Sequence, residues 1–246
     1  MAMAAPTVMT TITGIRTPTL MRTVIHMGAI PMDSVVDPAV LYRLLAWLSP
    51  SYPVGAFAYS HGIEWAVETG AVADRSGLER WLRDLLGHGG AWTDSVLFAQ
   101  AWAAADGDDR DELASINDLA VALCPSSERR LETTAQGNAF LVATRASWPY
   151  AGADEWDGDI AYPVAVAWAA AGHGVPLAPA LHAFVHAVVA NLISAGVRLV
   201  PLGQTDGQRA LSALEADVTR TAEAAGQATL ADLGGCAFLS DVAAMR

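Results

Sequence analysis

The chain reads as an all-α protein, a single compact multi-helix domain with no sheet, and three observations carry that reading. Apolar residues recur at helical spacing nearly everywhere from Asp37 onward. Short alternating runs of Val, Ile and Thr between turn residues, which would mark strands, are missing. No repeat period or low-complexity tract divides the chain, so its 246 residues make one domain of eight to ten helices at ordinary lengths.

Leu41, Leu44, Leu45 and Leu48 sit at i, i+3, i+4 and i+7, and Pro50 closes that first helix. Ile63, Ala66 and Val67 share a face until Gly70, a good C-terminal stop. Leu78, Trp81, Leu82, Leu85 and Leu86 form the next stripe, ended by Gly87. Thr93 or Asp94 is placed to cap a helix running through Trp102, and the DGDD at 106–109 is a solvated acidic turn. Leu113, Ile116, Leu119, Ala120 and Leu123 make another stripe that stops before Pro125. Residues 127–146 form a polar-faced helix, and the turn-rich loop WPYAGADEWDGD comes after it.

The segment 160–203 carries a single formally charged residue, Arg198, over two apolar helices broken at GHGVP. A two-span membrane protein is one reading, but each span needs about 20 strongly apolar residues. The first helix is short and rests on Ala, and the second contains His182, His186, Asn191 and Arg198. Burial on all sides, in a core or a subunit interface, is favoured. It also accounts for a mean hydropathy of +0.31.

Composition excludes several functions. All 14 basic residues are arginine, so there is no P-loop lysine, no Schiff-base lysine and no kinase-type ATP lysine. A net charge of −12 argues against nucleic acid and anionic membrane as partners. Cys124 and Cys236 belong to no CxxC pattern and read as small buried hydrophobes, in keeping with a reducing cytoplasm. Residues 1–32 contain Arg16, Arg22 and no acidic residue, superficially like a transit peptide. We take them as a disordered or mis-started extension and expect the helical domain over 33–246.

No nucleophile elbow or Cys/His arrangement appears. Ser60 and His61 are sequence neighbours and so point apart, while Glu64 and Glu68 read as a solvated face. His182 and His186 share a helix face at i, i+4, the spacing of some zinc sites, but lack an adjacent glutamate and a third ligand. An α-helical metalloenzyme using them would hold one tight metal per chain; satisfied core or interface histidines are the plainer reading.

Three polar segments stand out instead. SPSYPVGAFAYSHGIEW (49–65) is a stiff, semi-apolar loop rich in Pro and Gly. SSERRLETTAQG (126–137) alternates Glu128 and Glu132 with Arg129 and Arg130, a pattern that ends at Gln136–Gly137; alone, it would pass for a solvated helix. PLGQTDGQ (201–208) reads as a rigid corner in which Thr205 caps a helix and Gln208 completes a capping box.

In this order the three segments resemble the urease accessory protein UreF family, over about residues 38–246. The resemblance is carried by SPSYPVGAFAYSHGIEWAVETGAV, by SSERRLETTAQG, and by YPVAVAWAAAGHGV followed by ISAGVRLVPLGQTDGQRAL. It implies an all-helical, non-catalytic maturation factor, homodimeric, that binds a second accessory protein, UreD (also called UreH). That complex then recruits the UreG GTPase, modulates it, and promotes nickel insertion into apo-urease, with nickel handled by the assembly and no cofactor held by this chain. The partner-binding positions it implies are Pro53, Gly55, Tyr59, Ser60, His61 and Glu64 in the first segment. The second gives Glu128, Arg129, Glu132 and Gln136, and the third Arg198, Gly203, Gln204 and Gln208. The resemblance departs at both ends: residues 1–32 have no counterpart, and family members continue past DVAAMR with an Arg- and His-containing tail.

Overall fold

Asp37 and Pro38 start the first helix for local reasons. The Asp37 carboxylate accepts the Ala39 N–H at 2.8 Å, and proline at the first helical position gives up no bond. The computed structural model describes residues 36–56 and 59–234. The expected boundary near Met32, Cys236 and the DVAAMR end lie outside these residues.

Ten α-helices and no strand occur among the described residues. They are α1 (Pro38–Trp47), α2 (Ile63–Glu68), α3 (Arg75–His88), α4 (Gly90–Asp106), α5 (Arg110–Ala122), α6 (Ser127–Ser147), α7 (Tyr162–Gly172), α8 (Leu177–Leu199), α9 (Gln204–Ala213) and α10 (Glu215–Ala225). The all-α expectation therefore holds.

At the centre lies α7, whose residues Pro163 to Ala170 are all buried. It packs against α4, α5, α6 and α8. Its alanines let α4 come close, and Trp168 fills the space toward Tyr150 and Trp156. Helix α8 is long and apolar enough to cross a membrane by length and composition. Half of that stretch is buried inside the protein, on Phe184, Val185, Val189, Leu192 and Ile193, against α4, α9 and α10. The apolar content of 160–203 is thus largely consumed by the chain's own core.

Side chains of neighbouring helices fix the entry into α7. Ala161, its N-cap, has no capping side chain. Three residues of α5 and α6 accept the free N–H groups instead: Asn138 Oδ1 that of Ile160 (3.1 Å), Asn117 Oδ1 that of Ala161 (2.8 Å), and Thr133 Oγ1 that of Tyr162 (3.1 Å). Gly137 on α6 faces this backbone, and a Cβ there would lie 2.0 Å from the Ile160 carbonyl oxygen. Gly137 is therefore a close-approach residue inside a helix that continues for ten further residues, to Ser147.

Four local expectations are corrected. On α1, Val40, Leu44 and Trp47 are buried, whereas Leu41 and Leu45 are 48% and 66% exposed. The helix is apolar nearly all round, so periodicity alone does not select its face. Helix α3 passes through Gly87 and ends at Gly89, which is extended. Helix α4 starts there at Gly90, so Thr93 and Asp94 lie inside it and cap nothing. Gly203 holds the N-cap of α9, with Gln204 already helical, so the box of Thr205 and Gln208 does not form and both side chains are exposed. Leu202 N–H bonds the Val200 carbonyl at 2.6 Å, and this tight turn brings the helix start forward.

Candidate functional site

The loop between α1 and α2 is held from inside by several separate attachments. Tyr52 donates its hydroxyl to Thr144 Oγ1 at 2.8 Å, because the Thr144 hydroxyl is committed to the Phe140 carbonyl. Burial pushes the Tyr52 phenol above its usual range. Val54 is buried, and Gly55 turns the chain at φ +74°. Asn191 Nδ2 on α8 donates to the Ala56 carbonyl at 3.0 Å. His61 and Gly62 come next in the left-handed region, at φ +48° and +78°, and aim the imidazole inward.

That imidazole meets a buried charge network on α6. His61 Nε2 lies 2.9 Å from Glu132 Oε1 and 2.9 Å from Arg129 Nη1. A single nitrogen donates to the carboxylate when it carries a proton and accepts from the guanidinium when it does not, so the two bonds alternate. Arg129 also donates to Glu132 Oε2 and, at 3.4 Å, to Asp94 Oδ2 on α4. Gln136 Nε2 donates to Glu132 Oε1 at 2.9 Å. The side chains of Glu132 and Arg129 are only 5% and 12% exposed, so each charge depends on its partners.

Burial works against ionising Glu132, but attraction from His61 and Arg129 and their hydrogen bonds win, holding its carboxyl at about 2. Asp94 goes the other way. Burial raises it, because one long contact to Arg129 does not offset desolvation and the nearby Glu132 charge. Burial also opposes the Arg129 charge, yet Glu132 and Asp94 leave its pKa raised. Since the folded value for Glu132 lies below its ordinary 4.5, its stabilisation is complete above that pH and is lost as pH falls toward about 2. The effect is on the order of 3 kcal/mol, partly offset by Asp94. The denaturant midpoint is expected to fall steeply across this window, and Glu132→Gln to flatten the fall. An equally steep fall in that variant would rule the account out.

Between the loop, α4, α6 and α8 lies a cavity of about 300 Å³. Leu48, Pro50, Val54 and Val188 give it apolar walls, while His61, Gln136, Tyr162 and His186 supply polar ones. Burial raises the Tyr162 phenol above its usual range.

Of the positions singled out in sequence, the fold brings His61, Arg129, Glu132 and Gln136 together. Pro53 and Gly55 are exposed on the loop, Gly55 also bordering the cavity, Tyr59 and Ser60 are half-buried, and Glu64 and Glu68 face solvent. The Ser60 carbonyl accepts the Ile63 N–H at 3.0 Å. Glu128 is exposed at the start of α6, where its own N–H and then Ser127 and Ser126 lower its carboxyl. Arg198, Gly203, Gln204 and Gln208 gather at and beyond the C-terminal end of α8, all exposed, with Arg198 Nη1 donating to Ser194 Oγ at 3.3 Å. Thus 126–137 is no merely solvated helix, because its Glu132 and Gln136 are buried.

His182 approaches Thr219 Oγ1 of α10 at 3.5 Å, and His186 lines the cavity. Among the described residues no group of three His, Cys, Asp or Glu side chains gathers that could hold a metal ion. Cys124 is only half-buried, so the fully buried reading is corrected; burial still raises its thiol pKa. Sequence reasoning missed Asp94, mistaken for a cap, and the partners Tyr52, Thr144 and Asn191. The one signal for Asn191 was an amide in an apolar helix.

A helical scaffold with a stiffened surface loop, braced by a buried ionic network, is the class of protein this geometry defines. By sequence the chain belongs to the UreF family, whose profile matches residues 72–215. It is 53% identical to the urease accessory protein UreF of Rhodopseudomonas palustris strain HaA2, over 87% of this chain and 92% of that protein. Identity to the protein of the same name from Bradyrhizobium diazoefficiens is 51%, over 85% and 88% of the two chains. For that of Bradyrhizobium sp. strain ORS 278 it is 49%, over 85% and 88%.

Proposed function

We propose that this chain is a urease maturation factor that works by docking, without catalysis of its own. It assembles with UreD/UreH and the UreG GTPase, modulates that GTPase, and promotes nickel insertion into apo-urease in the cytoplasm. Nickel is handled by the assembly, and neither nucleic acid nor membrane is a partner. One observation supports this best: among the described residues of the α1–α2 loop, Tyr52, Ala56 and His61 are held from within by Thr144, Asn191 and Glu132, while Pro50, Ser51, Pro53 and Gly55 stay exposed. A loop held this way loses little conformational freedom when a partner binds. The family membership and the names of the relatives point the same way.

Two copies associate in this reading. The exposed Leu41, Tyr42 and Leu45 of α1 give an apolar face suited to an interface. A monomer mass by light scattering at micromolar concentration removes that part.

Co-purification with UreD and UreG from one expression strain, with urease activation scored alongside, tests the whole. Gln204→Ala is expected to keep the melting temperature, since Gln204 is exposed and caps nothing, yet to lower the captured UreD and UreG several-fold. Gln208→Ala, also exposed, is expected to stay within about 0.5 kcal/mol of the parent stability. Binding lost only in step with folding would sink the docking role of Gln204. The metalloenzyme alternative has weaker support, because His182 and His186 have no third ligand among the described residues.

A further inference from the structure

We infer that Asn191, on the apolar helix α8, is a positioning residue that sets the docking shape of the loop 49–56; this rests on the docking function proposed above. Its amide donates to the Ala56 carbonyl at 3.0 Å across 135 residues of sequence, and Asn191 also lines the cavity. Among the described residues, Tyr52 bonds Thr144 on one side of that contact and His61 bonds Glu132 on the other, with Val54 buried between Tyr52 and Ala56. The Asn191 bond holds the chain between those two points, next to Gly55, which turns in the left-handed region. An amide is also costly in so apolar a helix unless it is used.

Asn191 further places the loop relative to the corner at 201–208. Asn191, Ser194 and Arg198 lie at i, i+3 and i+7 on α8, and Arg198 Nη1 donates to Ser194 Oγ at 3.3 Å. At 1.5 Å per residue the clamp and Arg198 are about 10 Å apart along the helix. A standard interface of about 800 Å² per partner spans that distance easily. One partner therefore meets the loop and the corner on a single rigid rib, with Asn191 keeping the loop in register with it.

The test uses the full chain with Asn191→Asp, which keeps the shape but removes the donor, Asn191→Leu, which packs without polarity, and Asn191→Gln, which restores a donor on a longer arm. Amide hydrogen exchange is measured over 49–62 and over α6 and α8, together with the affinity for purified UreD. Losing this one hydrogen bond is expected to speed exchange in the loop about tenfold, leave α6 and α8 unchanged, and weaken binding about tenfold, with Gln recovering part of both. Unchanged loop exchange overturns the clamp. Faster loop exchange with full affinity overturns the link to docking. Faster exchange throughout α6 and α8, or failure of both Asp and Leu variants to fold, makes Asn191 merely structural and overturns the proposal. If the parent chain itself does not bind UreD, the proposed docking function fails, while the exchange data still decide the clamp.

Discussion

Arg129→Ala is expected to lower the unfolding free energy by about 3–5 kcal/mol, a large part of what a domain of this size possesses. Among the described residues the guanidinium is the only cation paired with both Glu132 and Asp94, and those carboxylates are 5% and 20% exposed. Removing it leaves a buried and a half-buried carboxylate near each other, with the His61 imidazole and the Gln136 amide as the remaining partners of Glu132. Arg129→Lys keeps the charge but cannot bond Asp94, Glu132 and His61 from one planar fork, so an intermediate loss is expected. The informative comparison is Arg129→Met combined with Glu132→Leu. A buried pair replaced as a whole by apolar side chains is often tolerated, so the double variant should be less damaged than Arg129→Ala alone. Urea titrations of the three variants decide the matter. A loss below about 1 kcal/mol for Arg129→Ala would place the network in solvent-screened surroundings and contradict its burial.

How legible this was in sequence depended on the range of the interaction. Helix content was legible because each helix states its own period and stops: Gly70 at φ +76° comes after α2 as expected, and the breaks at Pro125 and at GHGVP are real. Short-range signals failed where two local solutions competed. Thr205 and Gln208 have the pattern of a capping box, but the tight turn after Val200 starts α9 at Gln204 and leaves the box no end to cap. Asp94 likewise has the composition of a cap, yet Gly89 breaks the chain early enough to place Asp94 inside α4, half-buried beside Arg129. Pairings such as Asp94 with Arg129, or Asn191 with Ala56, leave no periodic trace, since nothing local to either residue specifies the other. Within 126–137 the alternating charges taken alone read as a solvated helix. Only the packing of α6 showed that Glu132 and Gln136 are buried.

The same packing makes Gly137→Ala the sharpest test of the core. In an isolated helix, alanine for glycine is stabilising by about 1 kcal/mol. Here the new methyl would sit 2.0 Å from Ile160 O, 2.8 Å from Ala161 C and 2.9 Å from Ile160 C, all backbone atoms with no rotamer to yield. The 159–162 segment is also tied down, with the N–H groups of Ile160, Ala161 and Tyr162 held by Asn138, Asn117 and Thr133, and the Asp159 carbonyl accepting from Asn117 Nδ2 at 3.1 Å. Relief therefore requires moving the entry of α7, buried from Pro163 to Ala170, or bending α6 away from it. Overpacking of this kind costs about 1–3 kcal/mol, and each side-chain bond lost at the α7 entry adds about 1 kcal/mol. The steric and hydrogen-bond losses outweigh the helix gain, and Gly137→Ala is expected to be destabilised by about 3 kcal/mol or more, or not to accumulate folded. Ala135→Gly, on the exposed side of the same helix, serves as the control and should lose only the propensity term of about 1 kcal/mol. A Gly137→Ala protein that melts higher than its parent would mean that α6 and the 160–161 backbone do not approach as described.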